Sequence, residues 1–166
     1  MSVPVVAPLR AARRLALGVP VFLLGGALVS QFAFGLAPCE MCWWQRYPHM
    51  VAIVLAALSF FWRPVRPLVA VAALGVLASG LIGGFHAGVE YGWWQGLTAC
   101  TASPMAAGGD PLAAIMNAPV IRCDVAPWDL FGISLAGWNF LFSTLGALAV
   151  FGLIAGSGKA QSRVEG

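Results

Sequence analysis

Residues 38–49, PCEMCWWQRYPH, carry two cysteines at C-x-x-C spacing, an arginine four residues after the second, and a histidine three residues beyond that. Disulfide exchange proceeds by attack of a thiolate on a disulfide sulfur, so a working cysteine needs access and a lowered pKa. Wound as a helix, Cys39, Cys42, Arg46 and His49 fall at i, i+3, i+7 and i+10, on roughly one face. Cys42 then has two aids to ionisation, the helix N-terminus and the Arg46 charge one turn away. Two readings of Arg46 stay open: a partner for the Cys42 thiolate, or an interface arginine snorkelling to lipid phosphate. His49, on the same face, is a further candidate for contact with a bound cofactor.

Cys100 and Cys123 read most simply as a second disulfide, closing a loop of 22 intervening residues. They supply no second C-x-x-C, and position 43 is Trp, so neither the paired spacing of a zinc site nor that of haem attachment is present and no metal is expected. His86 and Glu90 stand at i, i+4. An ionisable pair at membrane depth suggests a functional site, while a histidine that only hydrogen-bonds between helices is the plainer reading.

The elements that must position these groups are membrane helices. The chain has 166 residues, 60% hydrophobic and 9% charged, against about 25% charged for a soluble domain. Uncharged runs predict four spans at about 15–36, 44–62, 67–89 and 131–156, with outer loops at about 37–43 and 90–130. The fold class expected is an all-α membrane protein, a four-transmembrane-helix bundle forming a single domain. The second span is short and borrows from the C-x-x-C segment. The basic, apolar start resembles a signal peptide, but its apolar run exceeds the usual length and more spans follow it.

Loop charges give the orientation. Arg10, Arg13, Arg14, Arg63, Arg66, Lys159 and Arg163 fall on one side, Arg46 and Arg122 on the other. The positive-inside rule then puts both termini in the cytoplasm and all four cysteines outside, where disulfides persist. The net charge of +3 is accordingly an orientation signal, and no nucleic acid is expected as a partner. Trp43, Trp44, Trp93, Trp94 and Trp128 fall near the outer interface, where amphipathic rings anchor. Gly80, Gly84, Gly88, Gly92 and Gly96 recur every four residues, a pattern that lets helices approach closely. In the long outer loop Asp110 and Pro111 suit the N-cap and first turn of a short interfacial helix bearing Leu112, Ile115 and Met116.

Three motifs in order, PCEMCWWQRYPH, HAGVEYGWWQG leading to Cys100, and CDVAPWDLFGISLAGWNF entering the last span, resemble the DsbB family of quinone-dependent disulfide-forming membrane proteins. The resemblance covers nearly the whole chain after residue 14. It implies a protein-dithiol:quinone oxidoreductase of the bacterial inner membrane, with Cys39, Cys42, Cys100 and Cys123 catalytic. A periplasmic DsbA-like thioredoxin-fold oxidase would attack the Cys100–Cys123 disulfide at Cys100. Cys123 would exchange with Cys39, and Cys42 would face a quinone, ubiquinone or menaquinone, that the respiratory chain reoxidises. Arg46 would stabilise the thiolate and the reduced quinone, and His86 is a further candidate beside it. The alternative from another class is a structural membrane subunit or assembly factor whose disulfides only hold the outer loop.

Overall fold

The computed structural model describes residues 6–98, 100 and 121–165, with side chains to residue 158. The helices among these are α1 (Ala7–Phe34), α2 (Glu40–Leu58), α3 (Val65–Glu90) and α4 (Leu135–Glu165). A short antiparallel hairpin, β1 (Asp129–Leu130) with β2 (Ile133–Ser134), leads into α4. Three helical stretches, Ala7–Phe34, Val65–Glu90 and Leu135–Gly158, are long and apolar enough to cross a membrane. Their outward surfaces carry exposed Phe22, Phe32, Leu74 and Leu145. Side chains of that kind on the outside suit lipid, where apolar contact costs nothing.

α3 lies between α2 and α4, and α1 closes the bundle against α2 and α4. Close packing comes from small residues. Ala12, Ala16, Ala52, Ala56, Ala72, Ala73 and Ala147 are fully or almost fully buried together with Val69, Val76 and Val150. At the other end a second cluster gathers Cys39, Met41, Val89 and Cys123 around Phe85. The bundle is therefore alanine- and valine-rich at one end and sulfur-rich at the other.

Helix ends explain where the elements stop. α1 begins at Ala7, well before the expected residue 15, because Pro8 suits its first turn and nothing in 9–15 breaks a helix. Its arginines consequently lie on helix: Arg13 donates to the Ser59 carbonyl at 3.2 Å and stacks over Phe60. α1 ends at Gly35, whose φ of 69° is the left-handed cap conformation that glycine adopts without strain. α2 does take up the C-x-x-C segment, but it ends at Leu58 and not at Trp62, with residues 59–62 turning towards Pro64.

The glycine repeat divides into different uses. A Cβ at Gly80 or Gly84 would meet Thr144 or Phe140 of α4 at 2.9 and 2.8 Å, so these glycines do permit helix contact. Gly88 instead makes room for the Trp94 ring, and Gly92, with φ 72°, turns the chain after α3. Trp94 is thus more than an interface anchor: it stacks on Phe85 and donates to the Phe85 carbonyl at 2.9 Å. The expected interfacial helix at Asp110 lies outside the described residues.

Gly83, between the repeats, is the tightest approach near the polar interior. A Cβ there would lie 2.9 Å from the Ala136 carbonyl and 3.0 Å from Asn139 Nδ2. Gly83→Ala is expected to destabilise the bundle by about 1–3 kcal/mol, read as a lowered melting temperature in detergent. Gly25→Ala, where nothing lies within 4 Å, should leave it unchanged or slightly raised.

Candidate functional site

Cys39 is the N-cap of α2, and its sulfur accepts a hydrogen bond from the Cys42 backbone N–H at 3.2 Å. This places Cys42 in the first turn, where unsatisfied amides favour an anion. The two free thiols sit 2.8 Å apart, sulfur to sulfur. That hydrogen bond, reinforced by burial, pushes the Cys39 thiol far above its usual pKa. The same bond is the main influence holding Cys42 below its usual value, against burial, with the Arg46 charge adding least. Within the pair the hydrogen bond favours the proton on Cys39 and the negative charge on Cys42.

Cys100 and Cys123 form a disulfide with Cα atoms 5.4 Å apart. Cys123 is fully buried and Cys100 is only partly so. Cys39, His86 and Cys123 bring their ligand-type atoms within 4.8 Å of one another, so the sulfur of the helix cap lies beside the loop disulfide. With Cys123 committed to a disulfide, Cys39 and His86 are the free groups of this trio among the described residues. The arrangement brings one sulfur of each cysteine pair within reach of the other. His86 is wedged between the pairs, its Nε2 3.7 Å from Cys39 Sγ and 3.2 Å from the Cys123 carbonyl, while Glu90 lies 3.7 Å away.

A cavity of about 400 Å³ opens beside this cluster, a volume that suits a small ring ligand. Its wall includes Cys42, Gln45, Arg46, His49, His86 and Asn139 together with apolar side chains of α1 and α4. Arg46 is buried there, donating to Gln31 Oε1 at 2.6 Å and the Ala27 carbonyl at 3.2 Å, with its guanidinium 5.0 Å from the Trp43 ring centre. α1 thereby fixes the charge at the cavity wall. The lipid-phosphate reading does not describe this buried side chain.

The chain matches the family described as "Disulfide bond formation protein DsbB" over residues 9–153. The chain belongs to the DsbB family. Proteins named "Disulfide bond formation protein B" are similar to it: that of Aromatoleum aromaticum is 31% identical over 80% of this chain and 84% of its own length. That of Verminephrobacter eiseniae is 30% identical over 86% and 85%, and that of a Polaromonas species 30% over 81% and 82%. No solved structure matches the chain. It is therefore a disulfide-forming oxidoreductase and a multi-pass membrane protein, and loop disulfides with a purely structural role are not the favoured reading.

Within this DsbB-family bundle, the face anticipated for four residues is divided. Cys42, Arg46 and His49 line the cavity, whereas Cys39 turns away towards His86 and Cys123. Gln31, Gln45, Ser79, Asn139 and Ser143 were not anticipated. Gln45 donates to His86 Nδ1 at 2.9 Å, and Asn139 joins Gln45, Ser79 and His49. The available signal was a lone Asn inside an apolar run, since a polar group at that depth needs partners.

Proposed function

We propose that this DsbB-family protein reoxidises a periplasmic thioredoxin-fold, DsbA-like oxidase and passes the electrons to membrane quinone. The carrying observation is that one cysteine pair faces two ways: Cys39 Sγ within 4.8 Å of the Cys123 sulfur, Cys42 on the wall of the cavity. Four spans follow if α2 also crosses, its polar residues turned inward, with both termini cytoplasmic and the cysteines periplasmic in the bacterial inner membrane.

The relay runs as thiol exchange. A partner thiolate attacks Cys100, and Cys123 leaves as thiolate. Cys123 then attacks Cys39 of an oxidised Cys39–Cys42 pair, and Cys42 leaves as thiolate on the cavity wall. The partner's second thiol attacks its own bound sulfur, freeing the partner as a disulfide and Cys100 as a thiol. A quinone, when bound, accepts two electrons and two protons. Cys100 attacks Cys123 of the Cys39–Cys123 bond, which restores the loop disulfide and releases Cys39, and withdrawal of two electrons from Cys39 and Cys42 restores theirs. The partner dithiol is oxidised, and the respiratory chain disposes of the quinol.

The cavity fits such a ligand on this chain's own terms. Its wall is mostly apolar, the Arg46 charge is held there by α1, and several buried polar atoms on it lack partners among the described residues. Arg46 would stabilise negative charge on Cys42 and on the reduced ring. Purified protein with a reduced thioredoxin-like oxidase should bleach quinone absorbance in a cysteine-dependent way. Turnover that persists without the cysteines refutes the relay. Arg46→Ala should slow quinone-linked turnover roughly 10–100-fold, the loss of a charged hydrogen bond, and slow exchange at Cys100–Cys123 much less. Unchanged quinone kinetics in that variant remove Arg46 from the site.

A further inference from the structure

The polar groups crossing the interior of the bundle have only one consistent direction of hydrogen bonding, and it ends on His49. Backbone carbonyls fix the amides. Gln45 Nε2 donates to the Met41 carbonyl at 3.3 Å, so Gln45 Oε1 is the atom facing Asn139. Asn139 Nδ2 donates to the Ser79 carbonyl at 3.2 Å and to Gln45 Oε1 at 2.8 Å, so Asn139 Oδ1 is turned the other way. Flipping either amide would set its oxygen against a carbonyl oxygen.

Asn139 Oδ1 already accepts from Ser143 Oγ at 2.8 Å and lies 3.0 Å from His49 Nε2. An amide oxygen only accepts, so the proton of neutral His49 must sit on Nε2. His49 Nδ1 is then a bare lone pair. The residue is 3% exposed, it lines the cavity, and Nδ1 has no partner among the described residues. An acceptor buried without a donor is costly, and a ligand that brings a donor relieves that cost.

We propose that His49 is a specificity-determining residue of the cavity: its Nδ1 accepts a hydrogen bond from the hydroxyl of a reduced ring, so the site holds the hydroquinone more tightly than the quinone. This rests on the proposed quinone function. A quinone carbonyl has no proton to offer Nδ1, whereas the same oxygen after two-electron, two-proton reduction is a donor. Tighter binding of the reduced form favours reduction of the bound ring by the same factor, because a ligand shifts an equilibrium by its differential affinity. Asn139 acts through His49 as a positioning residue, by keeping the tautomer.

The test is equilibrium binding to full-length protein in lipid nanodiscs, anaerobically, with both cysteine pairs oxidised so that no thiol electrons reach the ring. The probes are a short-chain benzoquinone and its hydroquinone. Wild type should prefer the hydroquinone, His49→Leu should lose about tenfold in hydroquinone affinity, and its quinone affinity should stay within about twofold. Asn139→Asp, which still accepts from Nε2, should keep the preference; Asn139→Leu should reduce it. In ¹⁵N-histidine-labelled protein the hydroquinone should shift the His49 Nδ1 resonance, and the quinone should not. Equal losses of both affinities in His49→Leu, or an unmoved Nδ1 resonance, overturn the inference while the quinone reading stands. Failure of wild type to bind either probe overturns both.

Discussion

Cys42→Ser is expected to abolish quinone-linked turnover, by roughly three orders of magnitude or more, as loss of an essential nucleophile does. The reason is positional. Cys42 lines the cavity, and it takes the negative charge of the pair because the hydrogen bond with Cys39 depresses its pKa and raises that of its neighbour. Serine at 42 leaves Cys39 without the sulfur it would close upon. Another sulfur, that of Cys123, lies within 4.8 Å. Attack by Cys39 on the loop disulfide would release Cys100 as thiol and leave a Cys39–Cys123 bond. Peptide mapping under non-reducing conditions should recover that cross-link from the variant, and gel-shift alkylation should find Cys100 free. In wild type at neutral pH, a limiting alkylating agent should mark Cys42 before Cys39. Retained turnover, or alkylation of Cys39 first, would reverse the roles given to the two sulfurs.

Hydropathy and arginine placement made the helices legible, since runs without charge have one stable form in lipid. Their ends were less so. The start of α1 at Ala7 depends on Pro8 and on Arg13 finding the Ser59 carbonyl, a contact 46 residues away. The hairpin before α4 was missed because Phe131 and Gly132 both take positive φ, 55° and 75°, and Phe is an unusual residue for such a turn. Tyr91 fastens it, donating to the Gly132 carbonyl and accepting from the Ser134 N–H.

The site divides in the same way. C-x-x-C spacing and the motifs pointed to the cysteines, Arg46 and the histidines as candidates, because the spacings that suggest them are local. The polar interior was hidden because its members are far apart in the chain: His49 meets Asn139 across 90 residues and Gln45 meets Asn139 across 94. Each reads alone as a blemish in an apolar run. Only when α2, α3 and α4 are packed do the blemishes become one connected set. The same holds for Arg46, whose partner Gln31 sits in an apolar run with no motif of its own.

Cys100 is expected to be the sulfur that meets the soluble partner, on the ground of burial. Cys123 is fully buried, within reach of Cys39 and His86, whereas Cys100 is partly exposed, with Thr98 Oγ1 2.9 Å from its sulfur. Simple loss of either cysteine breaks the disulfide and cannot tell the two apart. A thioredoxin-fold partner carrying one cysteine, activated as a mixed disulfide with a chromogenic thiol, can. In a background with Cys39 and Cys42 replaced by serine, Cys123→Ser leaves Cys100 to attack that bond, releasing the chromogenic thiolate and capturing the partner. Cys100→Ser leaves only the buried sulfur, and capture should slow roughly tenfold or more, because exchange rate follows access as well as thiolate content. Absorbance gives the rate and a non-reducing gel the adduct. Equal rates from the two variants would mean that the loop opens to expose Cys123, and the order of exchange would then have to run from Cys123 outward.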